Sequence, residues 1–199
     1  MLHHTLRNIS VLIVDNEQKI AELVKDVMCK LGFSSSLMKI ATDGYTALET
    51  LKMHTFDLII CDWEMLPDDN YVKLTEHAFD RLKWRNAPPN NGANFVRCLR
   101  VSKNSPNPYI PVIMLTGPTT PNHIYYARDA GVNEILFKPI QADDLARRII
   151  SIVEEPRDFI TCSTYKGPCR RRTNAQLPPG MPERRQRTVK IIRYEKHHE

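Results

Sequence analysis

Residues 57–65 read DLIICDWEM, a run of apolar residues that ends on the carboxylate of Asp62. Consecutive apolar residues followed by polar ones are typical of a strand that is covered on both faces, as in a parallel sheet. In α/β proteins, ligands bind outside the carboxyl ends of such strands. The stretch therefore predicts a buried strand that presents Asp62 at the ligand-binding edge of a sheet.

Three further apolar runs end in the same way, each followed by polar or charged residues: Val11–Val14 by Asp15 and Asn16, Val112–Leu115 by Thr116, and Ile135–Phe137 by Lys138. In a parallel sheet, the carboxyl ends of all these strands lie at one edge. Two acids, a hydroxyl and an ammonium group would therefore converge there. Such a set suits a divalent cation and a phosphoryl group.

Apolar residues at helical spacing separate the predicted strands, which include a short second strand at 37–40. Asp43 is a candidate N-cap of the second helix, and Pro121 is typical of the first turn of the fourth. Five strands alternating with five helices predict an α/β domain, a doubly wound parallel sheet with helices on both faces. The common strand order 2-1-3-4-5 makes the first and third strands neighbours, so Asp15 and Asp62 would lie side by side.

Two neighbouring carboxylates repel each other unless a cation is present. Mg²⁺ prefers oxygen ligands and keeps several waters, so Asp15, Asp62, a backbone carbonyl and solvent would suffice to hold it. An oxygen of Asp62 could then attack the phosphorus of an activated phosphodonor. Lys138 would neutralise the phosphoryl oxygens, and the Thr116 hydroxyl would donate to one of them.

The strand-end motifs resemble those of response-regulator receiver domains, the phosphoacceptor modules of two-component signalling. The resemblance spans about residues 8–154 and rests on motifs that occur in the family's order: VDNE at 14–17, DWEM at 62–65 with Pro67, Asn91-Gly92 before the third helix, LTG at 115–117 and FKPI at 137–140. It implies a flavodoxin-like fold and a binding module rather than an enzyme. Any one motif is weak, but together they are specific.

By this resemblance, Asp62 is the residue phosphorylated by a histidine kinase or phosphotransfer protein. Asp15, Asp62 and the main-chain carbonyl of Glu64 would bind Mg²⁺. Thr116 and Lys138 would sense the phosphate. The altered surface around the fourth helix, fifth strand and fifth helix would then bind a downstream partner that the sequence does not identify.

Two positions depart from the family pattern. The second acid that usually follows the first strand is replaced by Asn16, which could be a weaker Mg²⁺ ligand or the N-cap of the first helix. The aromatic residue usually found three positions before the lysine is replaced by Ile135, which has no ring to change rotamer. These departures motivate an alternative function, a degenerate, phosphate-independent receiver that acts as a protein-interaction scaffold through an insertion and a basic tail.

An insertion at about 68–90 precedes the third helix. Its partly amphipathic pattern over 69–85 predicts an extra helix near the phosphorylation site. The insertion could act as a lid or a partner-docking surface, since long loops in compact domains are often functional. It could equally be a tolerated surface segment, because lengthening a loop costs little entropy.

Charge divides the chain into a predicted receiver domain at 1–154 and a basic, Pro- and Arg-rich tail at 155–199. The tail has eleven Lys and Arg against five Asp and Glu, whereas the rest of the chain is nearly neutral. This composition predicts disorder or an extended wrap on the domain, with a short strand at 188–194 as a further alternative. A solvated tail is favoured over a contact with nucleic acid or an anionic surface, because no DNA-binding motif is present.

Other features of the sequence exclude several classes of protein. No apolar run is long enough to cross a bilayer, and the N-terminus has no signal-peptide pattern, so a cytoplasmic protein is expected. The five cysteines lack metal-ligand spacing, and three of them fall in apolar patterns that predict buried thiols: Cys29, Cys61 and Cys98. The seven histidines also lack ligand spacing and are expected at the surface, with Trp63 at the rim of the site.

Other assemblies and activities remain as alternatives. A homodimer is one. A phosphatase that uses Asp62 as its nucleophile is another, because Glu64 supplies an acid two residues later, but no cap domain is evident. A dinucleotide-binding enzyme is disfavoured, because the first strand leads into Asp-Asn-Glu-Gln rather than a glycine-rich turn.

Overall fold

The structure, a computed structural model, describes residues 6–65, 91–117, 121–162, 165–170 and 190–192. The predicted insertion helix at 69–85 lies outside these residues. Five strands form a parallel sheet: β1 (Val11–Val14), β2 (Met38–Ala41), β3 (Leu58–Asp62), β4 (Val112–Thr116) and β5 (Glu134–Phe137). Their order is β2-β1-β3-β4-β5, which confirms the prediction.

Five helices connect and follow these strands: α1 (Gln18–Lys30), α2 (Gly44–Met53), α3 (Asn91–Val101), α4 (Pro121–Ala130) and α5 (Ala142–Glu154). Because side chains alternate along a strand, β1, β3 and β4 each bury one apolar set on each face of the sheet. One set packs with residues of α1 and α5, and the other with residues of α2, α3 and α4. Helices therefore cover both faces, and the carboxyl ends of the strands are left for the site.

Local contacts set several element boundaries. Asp43 is the N-cap of α2, as predicted, and its carboxylate accepts the Thr46 N–H at 2.7 Å. The alternative of Asn16 as the N-cap of α1 is wrong, because Glu17 occupies that position. The predicted burial of Cys29 is also wrong, because this thiol is exposed, whereas Cys61 is buried as expected.

The chain continues beyond α5 as a second, antiparallel sheet. Its strands are β6 (Phe159–Thr161), β7 (Lys166–Pro168) and β8 (Lys190–Ile192), in the order β7-β6-β8. Strand β8 lies within the segment for which the sequence allows a short strand. The described tail thus contains three short strands, and β6 and β7 pack on the domain through the contacts of Arg100 and Gly131.

Arg100 of α3 is fully buried beneath this second sheet. Its guanidinium donates to the carbonyl oxygens of Gly131 at 3.0 Å and Pro108 at 2.9 Å, and to Asn133 Oδ1 at 3.3 Å. The ring of Phe159 lies over it, 5.0 Å from the guanidinium carbon. Burial lowers the pKa of Arg100 to about 9, so the group is still charged at pH 7 and needs these oxygen partners.

Gly131 allows β7 to approach the end of α4. It has a φ of +97°, and a Cβ there would lie 2.8 Å from the carbonyl oxygen of Lys166. Two ion pairs add to this junction, Arg170 with Asp129 at 2.9 Å and Arg157 with Glu134 at 3.4 Å. The described part of the tail between 155 and 170 therefore packs on the domain.

Candidate functional site

Asp62 is the last residue of β3 and only 4% of it is exposed. One carboxylate oxygen, Oδ1, lies 2.8 Å from Lys138 Nζ. The other, Oδ2, accepts the backbone N–H of Glu64 at 3.1 Å. The carboxylate of Asp62 thus accepts from two donors at the carboxyl edge of the sheet.

Asp15 follows β1 and is 1% exposed. Its Oδ1 accepts the Glu17 N–H at 2.9 Å, while its buried Oδ2 has no hydrogen-bond partner among the described residues. Lys138 Nζ lies at the ion-pair distance of 3.5 Å from Oδ2. Burial raises the pKa of Asp15, and the negative charge of Asp62 adds to this effect against the opposing pull of the Glu17 N–H and Lys138.

Lys138 joins the two acids. Burial lowers its pKa, but the bond to Asp62 and the charges of both carboxylates outweigh burial and leave the pKa above its ordinary value. Its backbone N–H donates to the carbonyl of Thr116 at 2.7 Å, which fixes the residue to the end of β4, and its peptide bond to Pro139 is cis. One ammonium thus serves two carboxylates, which confirms their predicted convergence. Their chemical roles stay predictions.

Thr116 ends β4 and is buried, with 3% exposed. Its hydroxyl makes one long contact, 3.4 Å, to the carbonyl oxygen of Gly117. A Cβ added at the next residue, Gly117, would meet no atom within 4 Å among the described residues outside its chain neighbours. The predicted hydroxyl is therefore at the correct edge of the sheet and is not committed to either acid.

The donors at this edge fit Mg²⁺. Two carboxylates share one ammonium, so the group has a surplus of negative charge, and Asp15 Oδ2 is a buried oxygen without a hydrogen bond. The described residues contain no cluster of three His, Cys, Asp or Glu that could hold a metal. An ion here would therefore need backbone carbonyl and water oxygens besides Asp15 and Asp62, which Mg²⁺ accepts.

Known proteins share this architecture. No protein-family model matches the chain. CheY-3 of Vibrio cholerae is 28% identical over 148 residues, which cover 74% of this chain and 94% of that protein. CheY of Pseudomonas aeruginosa is 28% identical over 144 residues, covering 72% and 95%. The structure of Vibrio cholerae CheY4 has a TM-score of 0.51 at 25% identity and covers 71% of this chain and 95% of that one.

The protein contains a CheY-like response-regulator receiver domain.

A further structural neighbour is the receiver domain of the sensor histidine kinase PA1611 from Pseudomonas aeruginosa. Its TM-score is 0.54 at 18% identity, and the likeness covers 74% of this chain and 98% of that one. That structure has a magnesium ion coordinated in the active-site cleft. At this identity the likeness shows the fold alone. In this receiver domain, no helix among the described residues has the length and apolarity needed to span a membrane.

Gly92, in the first turn of α3, packs directly on the backbone of Asp62. A Cβ at this position would lie 2.2 Å from the Asp62 carbonyl oxygen and 3.0 Å from Trp63 Cα. The Gly92 N–H also donates to the Trp63 carbonyl at 3.3 Å. A glycine is therefore required where this receiver domain brings α3 against the end of β3, a requirement that the Asn91-Gly92 motif indicated only by resemblance.

Trp63 and His123 form a pair that the sequence does not reveal. Trp63 is only 2% exposed, not at the rim of the site, and its ring lies 5.0 Å from that of the partly buried His123, with 31° between the ring planes. The two residues are sixty positions apart, and a histidine in a polar first helical turn resembles a surface residue. Only the packing of α4 against the end of β3 in this receiver domain brings the rings together.

Proposed function

We propose that this receiver domain is a two-component response regulator that accepts a phosphoryl group on Asp62 from a histidine kinase or phosphotransfer protein. The observation that carries the proposal is the position of Lys138 Nζ, 2.8 Å from Asp62 and 3.5 Å from Asp15. A buried acid pair with one shared cation is suited to an anionic phosphoryl group and a metal ion.

In the proposed reaction, an oxygen of Asp62 attacks the phosphorus of a phosphohistidine. The new P–O bond forms as the P–N bond breaks, and the electron pair leaves with the imidazole. Lys138 holds the carboxylate in place and then pairs with the phosphoryl oxygens, for which it is already positioned. Mg²⁺, held by Asp15, Asp62 and the Glu64 carbonyl, with Asn16 as a further candidate ligand, would supply positive charge to the phosphoryl oxygens.

The state of Asp62 would be read by the protein surface. Thr116 is free to donate to a phosphoryl oxygen, and a shift of its backbone would move Lys138 and the segment that leads to α4. A groove of about 230 Å³ lies beyond, between α4, β5, α5 and the second sheet. Exposed Ile124 and Phe137 line it together with Arg148 and Arg170. We propose this surface for the downstream partner.

The test is phosphorylation by acetyl phosphate, followed on a gel that retards phosphoproteins. We expect the wild-type chain to be phosphorylated with Mg²⁺ and not with EDTA. Asp62→Asn should abolish the product, whereas Asp26→Asn, an exposed acid of α1, should leave it unchanged. A product that persists in Asp62→Asn, or its absence in the wild type, would refute the proposal. The second result would favour the phosphate-independent scaffold instead.

A further inference from the structure

The Trp63–His123 pair connects the phosphoacceptor strand to α4. Trp63 is the residue after Asp62, and its N–H donates to the Leu115 carbonyl at 2.8 Å. Its carbonyl accepts the N–H of Gly92 from the opposite side. The backbone of Trp63 is thus hydrogen-bonded to both β4 and α3, and a peptide bond joins it to Asp62, so the position of the Trp63 ring is tied to the end of β3.

His123 lies in the first turn of α4, which begins at Pro121. The preceding strand β4 ends on Thr116, and His123 comes seven residues later in the chain, at the start of the helix that follows the proposed phosphate-sensing hydroxyl. The pairing of the two rings therefore depends on the relative position of the end of β3 and the start of α4. This dependence is the physical basis for coupling.

Ile135 makes this coupling more important in the present chain. It is partly buried against the same apolar cluster that contains Trp63 and Ala127 of α4. An aliphatic side chain has no ring face and loses little when the surrounding backbone shifts. An aromatic pair has a preferred geometry, with centroids 4.5–7 Å apart, and is weakened when that geometry changes.

We propose that His123 is a positioning residue that stabilises the arrangement of α4 belonging to the free Asp62 carboxylate. This inference rests on the proposed phosphoryl acceptance. The carboxylate in this structure is bound directly by Lys138 and by the Glu64 N–H, and the Trp63–His123 pair is formed in the same arrangement. Phosphorylation would separate the rings as the start of α4 moves toward Thr116.

The energy of the Trp63–His123 contact sets how far the loss of the His123 ring should shift the equilibrium between the two arrangements of α4. Aromatic pairs contribute energies that correspond to about 2- to 12-fold in an equilibrium constant. Removal of the His123 ring should favour the arrangement that binds a phosphoryl group by this factor. A ligand that prefers that arrangement should then bind more tightly, because a shift in a two-state equilibrium appears directly in the apparent affinity.

Beryllofluoride with Mg²⁺ is the probe, and Trp63 fluorescence is the readout. The chain has two tryptophans, so Trp84→Phe leaves Trp63 as the sole emitter in the full-length protein. In this background, His123→Ala should change the emission of the unliganded protein and tighten beryllofluoride binding by about 2- to 12-fold. His123→Phe, which restores a ring, should bring the affinity back toward the parent value.

His54→Ala is the matched control. His54 also pairs with an aromatic ring, that of Phe56 at 6.4 Å, but it follows α2 at the far end from the site. Its replacement should leave both the emission and the affinity unchanged. An effect equal to that of His123→Ala would show a general loss of stability and overturn the inference.

Two further outcomes separate this inference from the proposed function. If acetyl phosphate labels the parent protein but His123→Ala leaves beryllofluoride affinity unchanged or weakens it, the positioning role is wrong and phosphoryl acceptance stands. If neither acetyl phosphate nor beryllofluoride modifies the parent protein, phosphoryl acceptance fails and the positioning role fails with it.

Discussion

Replacing Gly92 with alanine tests whether the start of α3 fixes the end of β3. The new Cβ would lie 2.2 Å from the Asp62 carbonyl oxygen and 3.0 Å from Trp63 Cα, and neither backbone atom can rotate away. The two backbones must separate by roughly 1 Å to reach an ordinary contact distance. Overpacking of this kind costs about 1–3 kcal/mol, or a decrease of roughly 2–12 °C in Tm for a domain of this size.

The same displacement should reach the chemistry. A misplacement of about 1 Å at a reacting group can lower a rate by about 100-fold. We therefore expect Gly92→Ala to slow phosphorylation by acetyl phosphate more than its loss of stability explains, at a temperature where the variant is folded. Thermal denaturation and initial rates of phosphoprotein formation measure the two effects separately.

Gly117→Ala is the control, because it lies at the same edge of the sheet and its Cβ would meet no atom within 4 Å in the described part of the chain beyond its neighbours. Its Tm should stay within a few degrees of the wild type. If Gly92→Ala denatures and is phosphorylated like the wild type, α3 does not pack on Asp62 as described and the argument from close approach is refuted.

Three further predictions concern the acid pair, the second sheet and the thiols. Because burial, with the charge of Asp62, raises the pKa of Asp15, its ionised form destabilises the fold once the pH exceeds the ordinary value of 3.8. Asp15→Asn in EDTA should raise the free energy of unfolding at pH 8 by about 1 kcal/mol, and the gain should disappear as the pH falls toward 4; a constant or negative difference would contradict this. Phe159→Ala should lower the free energy of unfolding, measured in urea, by about 3 kcal/mol, because it uncovers the buried Arg100 guanidinium. Replacement of the exposed Phe137 by alanine should change this free energy by less than about 0.5 kcal/mol. Equal effects would mean that the second sheet does not pack on the domain. Burial also raises the pKa of the Cys61 thiol, so Ellman's reagent should label exposed Cys29 in the native protein and reach Cys61 only after unfolding. The control compares native labelling of a Cys29→Ser variant with that of a Cys29→Ser, Cys61→Ser variant. Rapid labelling that the second substitution removes would refute the burial of Cys61.

The sheet and the acid pair could be predicted because their determinants are local. Each strand is a short apolar run that ends on a polar residue, and the order of a five-stranded doubly wound sheet follows from few topological rules. Asp15, Asp62 and Lys138 were therefore expected at one edge, and the ion pairs show that they meet there. The burial of Thr116 beside them follows from the same strand pattern.

The remaining features depend on contacts between distant segments. Arg100 has the sequence signature of a solvent-exposed helical residue, yet the second sheet and the loop carbonyls enclose it completely. The tail has the composition of a solvated segment, because composition does not show that Phe159 can cover the Arg100 guanidinium. By residue type Asn16 is a preferred N-cap, yet Glu17 occupies that position, and its N–H is bonded to the Asp15 carboxylate.

The sequence by itself determined the alternation of strands and helices, the strand order and the chemical groups at the carboxyl edge, because hydrophobic periodicity and chain connectivity are properties of neighbouring residues. Only the tertiary structure decided that one ammonium lies between two carboxylates, that Gly92 must lack a side chain, and that His123 pairs with Trp63. Those features depend on distances of a few ångströms between backbones far apart in the chain, which side-chain packing sets and residue order does not.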